Sequence, residues 1–260
     1  MIKLFRNIRQ KLLHSGKLKS YMAYAIGEIV LVVIGILIAL QINNWNEERK
    51  NKRLEYQMLQ DLKSDLEETL VDFNDDIFGN QLFLNSTRDI QNHIFKNLPF
   101  HDSLVMKFTL MTFQTTLFEK STAYESLKSS GLNIISNNEV KKQITDFYNL
   151  DIVRAKRISA PNFDVLFKPY LEENFDVNLD STLLKYWPES VIKRKGSLAN
   201  GNLGGFVPLN YSHLKSDPKF RVLLRNAINI RLEIISIYTN YSNFLNQLIK
   251  QIEEEIETKK

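Results

Sequence analysis

The sequence predicts an all-α protein in which one N-terminal transmembrane helix continues into a helical bundle with long antiparallel helices. Three observations support this fold class. An apolar region with a single charge, residues 21–42, follows a basic tail. Beyond it, apolar residues recur every three or four positions in two long segments, one near each end of the remaining chain. Glycine (9) and proline (6) are scarce among 260 residues, which disfavours a sandwich of short strands and turns.

The first segment, residues 1–20, contains six basic residues and no acidic one, so the rest of the chain has two more acids than bases. Its apolar residues, such as Ile2 and Phe5, fall on one helical face, which predicts a cytoplasmic tail lying on anionic lipid. A disordered flank that only sets the topology is the alternative. Nucleic acid is not expected as a partner, because the body of the protein lacks the basic excess that binds phosphates. The residues expected at the lipid surface are Lys3, Arg6, Arg9, Lys11, Lys17 and Lys19.

The apolar segment, residues 21–42, is predicted to be a transmembrane helix, since its residues at 1.5 Å each span about 33 Å. A cleaved signal peptide is disfavoured, because the apolar region is long and no small-residue cleavage site follows it. Six basic residues lie in the flank before the segment, residues 1–20, and four lie in the flank after it, residues 43–53. This bias predicts a single-pass signal anchor in the inner membrane, with a cytoplasmic N-terminus and with residues 43–260 in the periplasm.

Small residues and one acid mark a face of this predicted span. Because small residues let another helix approach closely, the face predicts packing against a partner membrane helix. Glu28 lies about 10 Å inside the span, where a carboxylate is costly unless it is partnered or reaches the interface. The sequence leaves both arrangements open. The residues of this predicted packing face are Ala23, Gly27, Glu28, Gly35 and Ala39.

Two stretches carry a family resemblance. They are Tyr24–Lys50, YAIGEIVLVVIGILIALQINNWNEERK, and Thr122–Asn149, TAYESLKSSGLNIISNNEVKKQITDFYN. They resemble the opening and a second recurrent stretch of an uncharacterised family of short, single-pass inner-membrane proteins found in Bacteroidota. The resemblance implies a membrane helix followed by an extracytoplasmic domain, and it implies no activity.

The first half of the body is expected to be helical. Apolar residues recur from Leu54 to Ile77, and no proline interrupts residues 43–98, so the membrane helix should continue, with Gly79-Asn80 as its expected break or bend. A new helix should begin at Asp102 or Ser103 and end near Phe118. Further helices are predicted over 122–130 and 138–157.

The second half is expected to be less regular until its last segment. Pro161 and Pro169 should interrupt the helices, a short helix is predicted over 179–186, and the glycine-rich segment 188–219 is predicted to be an irregular loop. The last helix shows heptad spacing, which suits antiparallel packing within one chain and also pairing between copies in an oligomeric stalk. Its predicted seam is Ile230, Ile234, Ile237, Tyr241, Phe244 and Leu248.

Little in the sequence indicates chemistry. The chain has no cysteine, which excludes disulfides and thiolate metal sites, and it contains no phosphate-binding loop or zinc-protease motif. We therefore predict no catalytic residue, no cofactor and no metal site. A weak anion-site candidate is Lys193-Arg194-Lys195 before Gly196, for which a solvated turn is the simpler interpretation. Ser103 within Asp102-Ser103-Leu104 is a weak candidate for glycosylation.

These observations predict a non-enzymatic, membrane-anchored helical interaction or scaffold protein of the cell envelope. Its partner would be another protein or a second copy of the chain. A ligand-sensing accessory subunit that signals through a partner membrane helix is the first alternative. An envelope enzyme is the second.

Overall fold

A computed structural model describes residues 18–159, 163–178 and 205–259. The chain divides into two compact units, Met1–Gln57 and Met58–Lys260. The described residues are mostly helical, which confirms the predicted fold class.

Helix α1 runs without interruption over Leu18–Phe95, a length of 78 residues. The expectation that it continues beyond the apolar segment is therefore confirmed. Of the break or bend expected at Gly79-Asn80, the break is wrong, because the helix passes through both residues. From residue 59 onward one side of α1 is buried at the three- and four-residue spacing of a packed helix. Its fully buried apolar residues include Leu59, Leu62, Leu66 and Phe73.

The last helix, α8, runs over Pro218–Thr258. Asp217 caps it by accepting the Lys219 N–H at 2.8 Å, and proline occupies the first turn, where it needs no donor. Helix α8 packs antiparallel to the second half of α1. Lys63 pairs with Glu253 at 2.7 Å, and the Phe73 and Tyr238 rings lie 4.9 Å apart, so positions early in α1 meet positions late in α8.

The buried line of α8 differs from the predicted seam. Ile234 and Leu248 are buried as expected, but the other predicted positions are only partly buried. The line instead passes through Arg231, Tyr238 and Leu245. The reason is that α8 packs against two neighbours rather than one, since Phe244 on its flank stacks on Phe147 of a second layer.

That second layer consists of shorter helices between α1 and α8. The elements are α2 (Ser103–Thr112), α3 (Thr122–Ser130), a 3₁₀ turn (Leu132–Ile134), α4 (Asn138–Asp146), a π-helical turn (Phe147–Asp151) and α5 (Ile152–Ser159). The prediction for α3 is confirmed, and Gly131 follows it with φ of 104°, a conformation that favours glycine. Helix α2 ends at Thr112 rather than near Phe118, because the following residues are extended.

A small ribbon replaces part of the expected loop. Helix α6 (Phe163–Asn174) leads into β1 (Phe175–Asn178), which pairs antiparallel with β2 (Gly205–Pro208), and α7 (Tyr211–Ser216) follows. Residues 205–216 are thus ordered elements rather than irregular coil. Gly205 is required there, because a Cβ atom would lie 2.2 Å from Val105 Cγ1 of α2. The rest of the predicted loop, 188–204, and the predicted helix 179–186 lie outside the described residues.

Candidate functional site

The first candidate region is the apolar stretch of α1. In residues 29–40 the large apolar side chains are 47–66% exposed, and an 18-residue window of mean hydropathy 2.6 has none of its residues buried. The helix is therefore long and apolar enough to cross a membrane. Water solvates such a surface poorly, so this stretch needs lipid or another apolar cover.

The predicted packing face lies on this stretch. Ala23, Gly27, Gly35 and Ala39 are exposed, and Glu28 is partly exposed. A Cβ atom built on Gly27 or Gly35 would meet no heavy atom within 4 Å. Within the described part of the chain, no element covers the two glycines.

The second candidate region is an extended segment, residues 113–121, which we call the strap. It runs antiparallel to α1 across one face of the helix. Because an extended chain cannot pair its own amides, its N–H groups need outside acceptors. Helix α1 supplies them: Asp72 Oδ2 accepts Phe118 N–H at 2.7 Å and Thr69 Oγ1 accepts Lys120 N–H at 2.9 Å. Asp65 Oδ2 accepts the N–H of Ala123, just beyond the strap, at 2.7 Å.

Gly79 and Asn80 bind the other end of the strap. Asn80 Nδ2 donates to Thr115 Oγ1 at 2.9 Å. A Cβ atom on Gly79 would lie 3.1 Å from Thr115 Cγ2, so glycine lets the strap pass close to the helix. These two residues were predicted to interrupt α1. They instead form the contact at which the strap begins.

The short-helix layer holds the strap from its second side. The Tyr148 hydroxyl donates to the Lys120 carbonyl at 2.9 Å, and Lys156 pairs with Glu119 at 2.6 Å. Burial raises the pKa of Tyr148 well above its ordinary value, with the nearby Asp65 carboxylate adding to the effect. Tyr148 therefore stays protonated and keeps donating at any physiological pH.

Two adjacent residues of the strap, Leu117 and Phe118, differ sharply in exposure. Leu117 is 3% exposed, whereas the Phe118 side chain is 70% exposed although its backbone is hydrogen-bonded to α1. The arrangement presents an aromatic ring on a fixed backbone. Sequence reasoning missed this site. The available signal was the spacing of Asp65, Thr69 and Asp72, which places three polar side chains on one face of α1.

Arg231 is a fully buried cation that joins three elements. Its guanidinium donates to the carbonyls of Met111 and Phe113 at 2.6 and 2.9 Å, which caps the C-terminus of α2. It also lies 5.0 Å from the centre of the Phe83 ring of α1. Desolvation lowers the pKa of Arg231 to about 9, so the side chain remains charged near neutral pH. Its role is to fix the point where α2 turns into the strap.

The other predicted site residues are not brought together. Ser103 begins α2, is partly buried, and its hydroxyl lies 2.8 Å from His101 Nδ1. Lys19 is exposed on α1. Among the described residues, no group of three or more His, Asp or Glu side chains is placed to hold a metal ion. The remaining predicted basic residues, at 1–17 and at Lys193, Arg194 and Lys195, lie outside the described residues.

Comparison with known proteins adds a family but no activity. No curated protein and no solved structure matches the chain. One family profile matches residues 28–157, which is half of the chain and includes residues 29–40 of the apolar stretch, the strap and both of its supports. The chain belongs to DUF6090, a family of unknown function.

Proposed function

We propose that this protein is a membrane-anchored helical interaction or scaffold protein of the cell envelope, without catalysis of its own. The observation that carries the proposal is the exposed apolar stretch of α1, which no described part of the chain covers. The contacts made by polar side chains in the body, residues 43–260, also support the proposal. Asp65, Thr69 and Asp72 hold backbone amides, and Arg231 caps a helix, so these groups stabilise a surface rather than line a reaction site.

The proposed topology places the N-terminus in the cytoplasm, the span at residues 21–42 and the body in the periplasm. Six basic residues before the span and four after it support this orientation, and the basic tail would lie on anionic lipid. The resemblance of Tyr24–Lys50 and Thr122–Asn149 to single-pass inner-membrane proteins of Bacteroidota supports the same arrangement.

Topology can be tested with single cysteines, because the chain has none of its own. Ser130→Cys, at an exposed position of α3, should react with a membrane-impermeant maleimide in intact spheroplasts. Ser15→Cys in the tail should react only after permeabilisation. The reverse labelling pattern would overturn the orientation, and release of the full chain by carbonate washing would overturn the anchor.

We further propose that the face containing Gly27, Glu28 and Gly35 packs against a partner membrane helix. Close approach needs small residues, and a Cβ atom on Gly27 or Gly35 would meet no heavy atom within 4 Å. Gly35→Leu should abolish chemical cross-linking to the partner within the membrane, whereas Leu37→Ile should leave it intact. Recovery of monomer alone from the unmodified chain, with no stoichiometric partner or second copy, would contradict the interaction function itself.

A further inference from the structure

Phe118 is an exposed aromatic side chain on a backbone that the fold holds in place. Its backbone N–H is bonded to Asp72, and the next residue pairs with Lys156, so little backbone freedom is left to lose on binding. Preorganised aromatic residues of this kind dominate the binding energy of protein interfaces. Val71, which precedes Asp72 on the outward side of α1, adds a second apolar side chain that is 62% exposed.

The surface beside these residues is acidic. Residues 61–76 of α1 contain seven acids and one lysine, and four of these acids are exposed, namely Asp61, Glu67, Glu68 and Asp75. A groove of about 720 Å³ between α1 and α8 begins one helical turn before Val71 and continues this charge. It is lined by four glutamates and two lysines, namely Glu67, Glu253, Glu254, Glu257, Lys63 and Lys250. Lys120 of the strap pairs with Glu68. With Lys120 included, acids still outnumber bases among residues 61–76 and the lining of the groove.

This charge distribution favours binding of a basic segment over binding of a second copy of the chain. A second copy placed symmetrically on the same face would bring acids against acids, which is unfavourable. A segment with basic residues would meet the opposite charge, and its apolar side chain could cover Phe118.

We propose that Phe118, Val71 and the adjoining acidic groove form a docking surface for another envelope protein. The docked segment presents an apolar side chain to Phe118 and Val71, with Lys or Arg about one helical turn away, facing Glu67. The inference rests on the proposed interaction function and names the chemistry of its partner.

The test uses the full chain in native membranes, with a photo-reactive benzoylphenylalanine at position 118. Position 95 is the matched control, because Phe95 and Phe118 are 69% and 70% exposed. The adduct at 118 should map to a segment of another protein that has Lys or Arg within one turn of an apolar residue. Its yield should fall about fivefold as NaCl rises from about 0.05 to about 0.5 M, because salt screens exposed charges.

Phe118→Ala should lower recovery of that same protein about tenfold, whereas Phe95→Ala should not change it. Both variants should melt like the unmodified chain, since neither side chain is buried. An adduct to a second copy, to residues 179–204 of the same chain or to lipid would overturn the inference. So would a yield that does not respond to salt.

A further outcome separates this inference from the proposed function. If the partner is captured from a probe at position 35 and Phe118→Ala leaves its recovery unchanged, the docking surface is wrong and the interaction function stands. If probes at positions 35, 95 and 118 capture no protein, both proposals fail.

Discussion

Helix α1 contains two regions that share a helical backbone and differ in the pattern and burial of their side chains. In residues 29–40 all large side chains are apolar and exposed, whereas from Leu59 to Ile94 apolar and polar residues alternate at helical spacing and one side is buried. Helix formation is a local property, which both regions satisfy. The pattern of side chains decides whether the helix is covered by lipid, as we propose for the first region, or by other parts of the chain.

Charges in the apolar region should give the largest effect. Leu31→Arg combined with Ile34→Arg would place two cations near the bilayer centre, at a cost of about 5–7 kcal/mol. We expect the chain to lose its membrane retention, measured by carbonate extraction. The matched control places the same charges at exposed positions of the second region, with Asn74→Arg and Asn92→Arg, and should leave retention unchanged. Equal retention of both double variants would contradict the proposed span.

Truncation of a leucine in each region should give the next largest effect. Leu66 is fully buried and Leu37 is 58% exposed. Leu66→Ala should lower the free energy of unfolding by about 2–5 kcal/mol, because it removes packed methyl groups and leaves a cavity. Leu37→Ala should change it little. Thermal unfolding of the full chain in detergent micelles, followed by circular dichroism, measures both, and an equal loss for the two variants would rule out the difference in packing.

A glycine in each region sharpens the comparison further. Gly79→Val should destabilise the body by about 1–3 kcal/mol, since the added side chain must displace Thr115 and with it the strap. Gly35→Val should not affect the body, because the added atoms meet nothing. The same melting experiment distinguishes them. A neutral Gly79→Val would show that the strap is not held closely against α1.

The smallest expected effect concerns pH. The Tyr170 hydroxyl and the Lys219 amide both donate to Asp217 and hold the pKa of this carboxyl below its ordinary value of 3.8. The folded state therefore binds the proton less readily than the unfolded state. The resulting stability is fully present above that ordinary value and is lost as the pH falls through the lower pKa of the folded state.

Asp217→Asn should remove this acid-dependent stability, because the amide does not titrate, while it keeps a side chain that caps helices about as well as aspartate. Asp102→Asn is the control, because Asp102 precedes α2 without capping it through its side chain. Melting temperatures recorded from neutral pH down to strong acid would show the difference. Parallel curves for Asp217→Asn and the unmodified chain would refute the acid-dependent contribution of the Asp217 carboxylate.

Periodicity predicted the two long helices and Gly131 marked the end of helix α3, because each depends on residues that are neighbours in sequence. Periodicity could not decide between antiparallel packing of the two long helices within one chain and pairing between copies, because that choice depends on contacts such as Lys63 with Glu253. The strap could not be predicted in this way. Its amides are satisfied by α1 side chains about 50 residues away, and a single residue decides that Leu117 is buried while Phe118 is exposed. The ribbon was missed for a related reason, since Gly205 indicates a loop until Val105 is known to lie against it.

The candidate functional residues also differ in whether local sequence is enough to predict them. The small-residue face with Glu28 was predicted from local spacing, and it stays a prediction. Arg231 was not foreseen, because a cation within an apolar seam suggests a surface residue unless the carbonyls of Met111 and Phe113 are known to meet it. Sites built from one helix can be recognised in sequence, and sites that need distant segments cannot.

The pairing of Lys63 with Glu253 also has a consequence for synthesis. The apolar side of α1 emerges from the ribosome about 190 residues before the helix that covers it. At about 5–20 residues per second this amounts to about 10–40 s. During that interval Leu59, Leu62 and Leu66 are uncovered while the chain is still being elongated. Until its final long helix is made, the nascent polypeptide exposes apolar surface of the kind that favours aggregation.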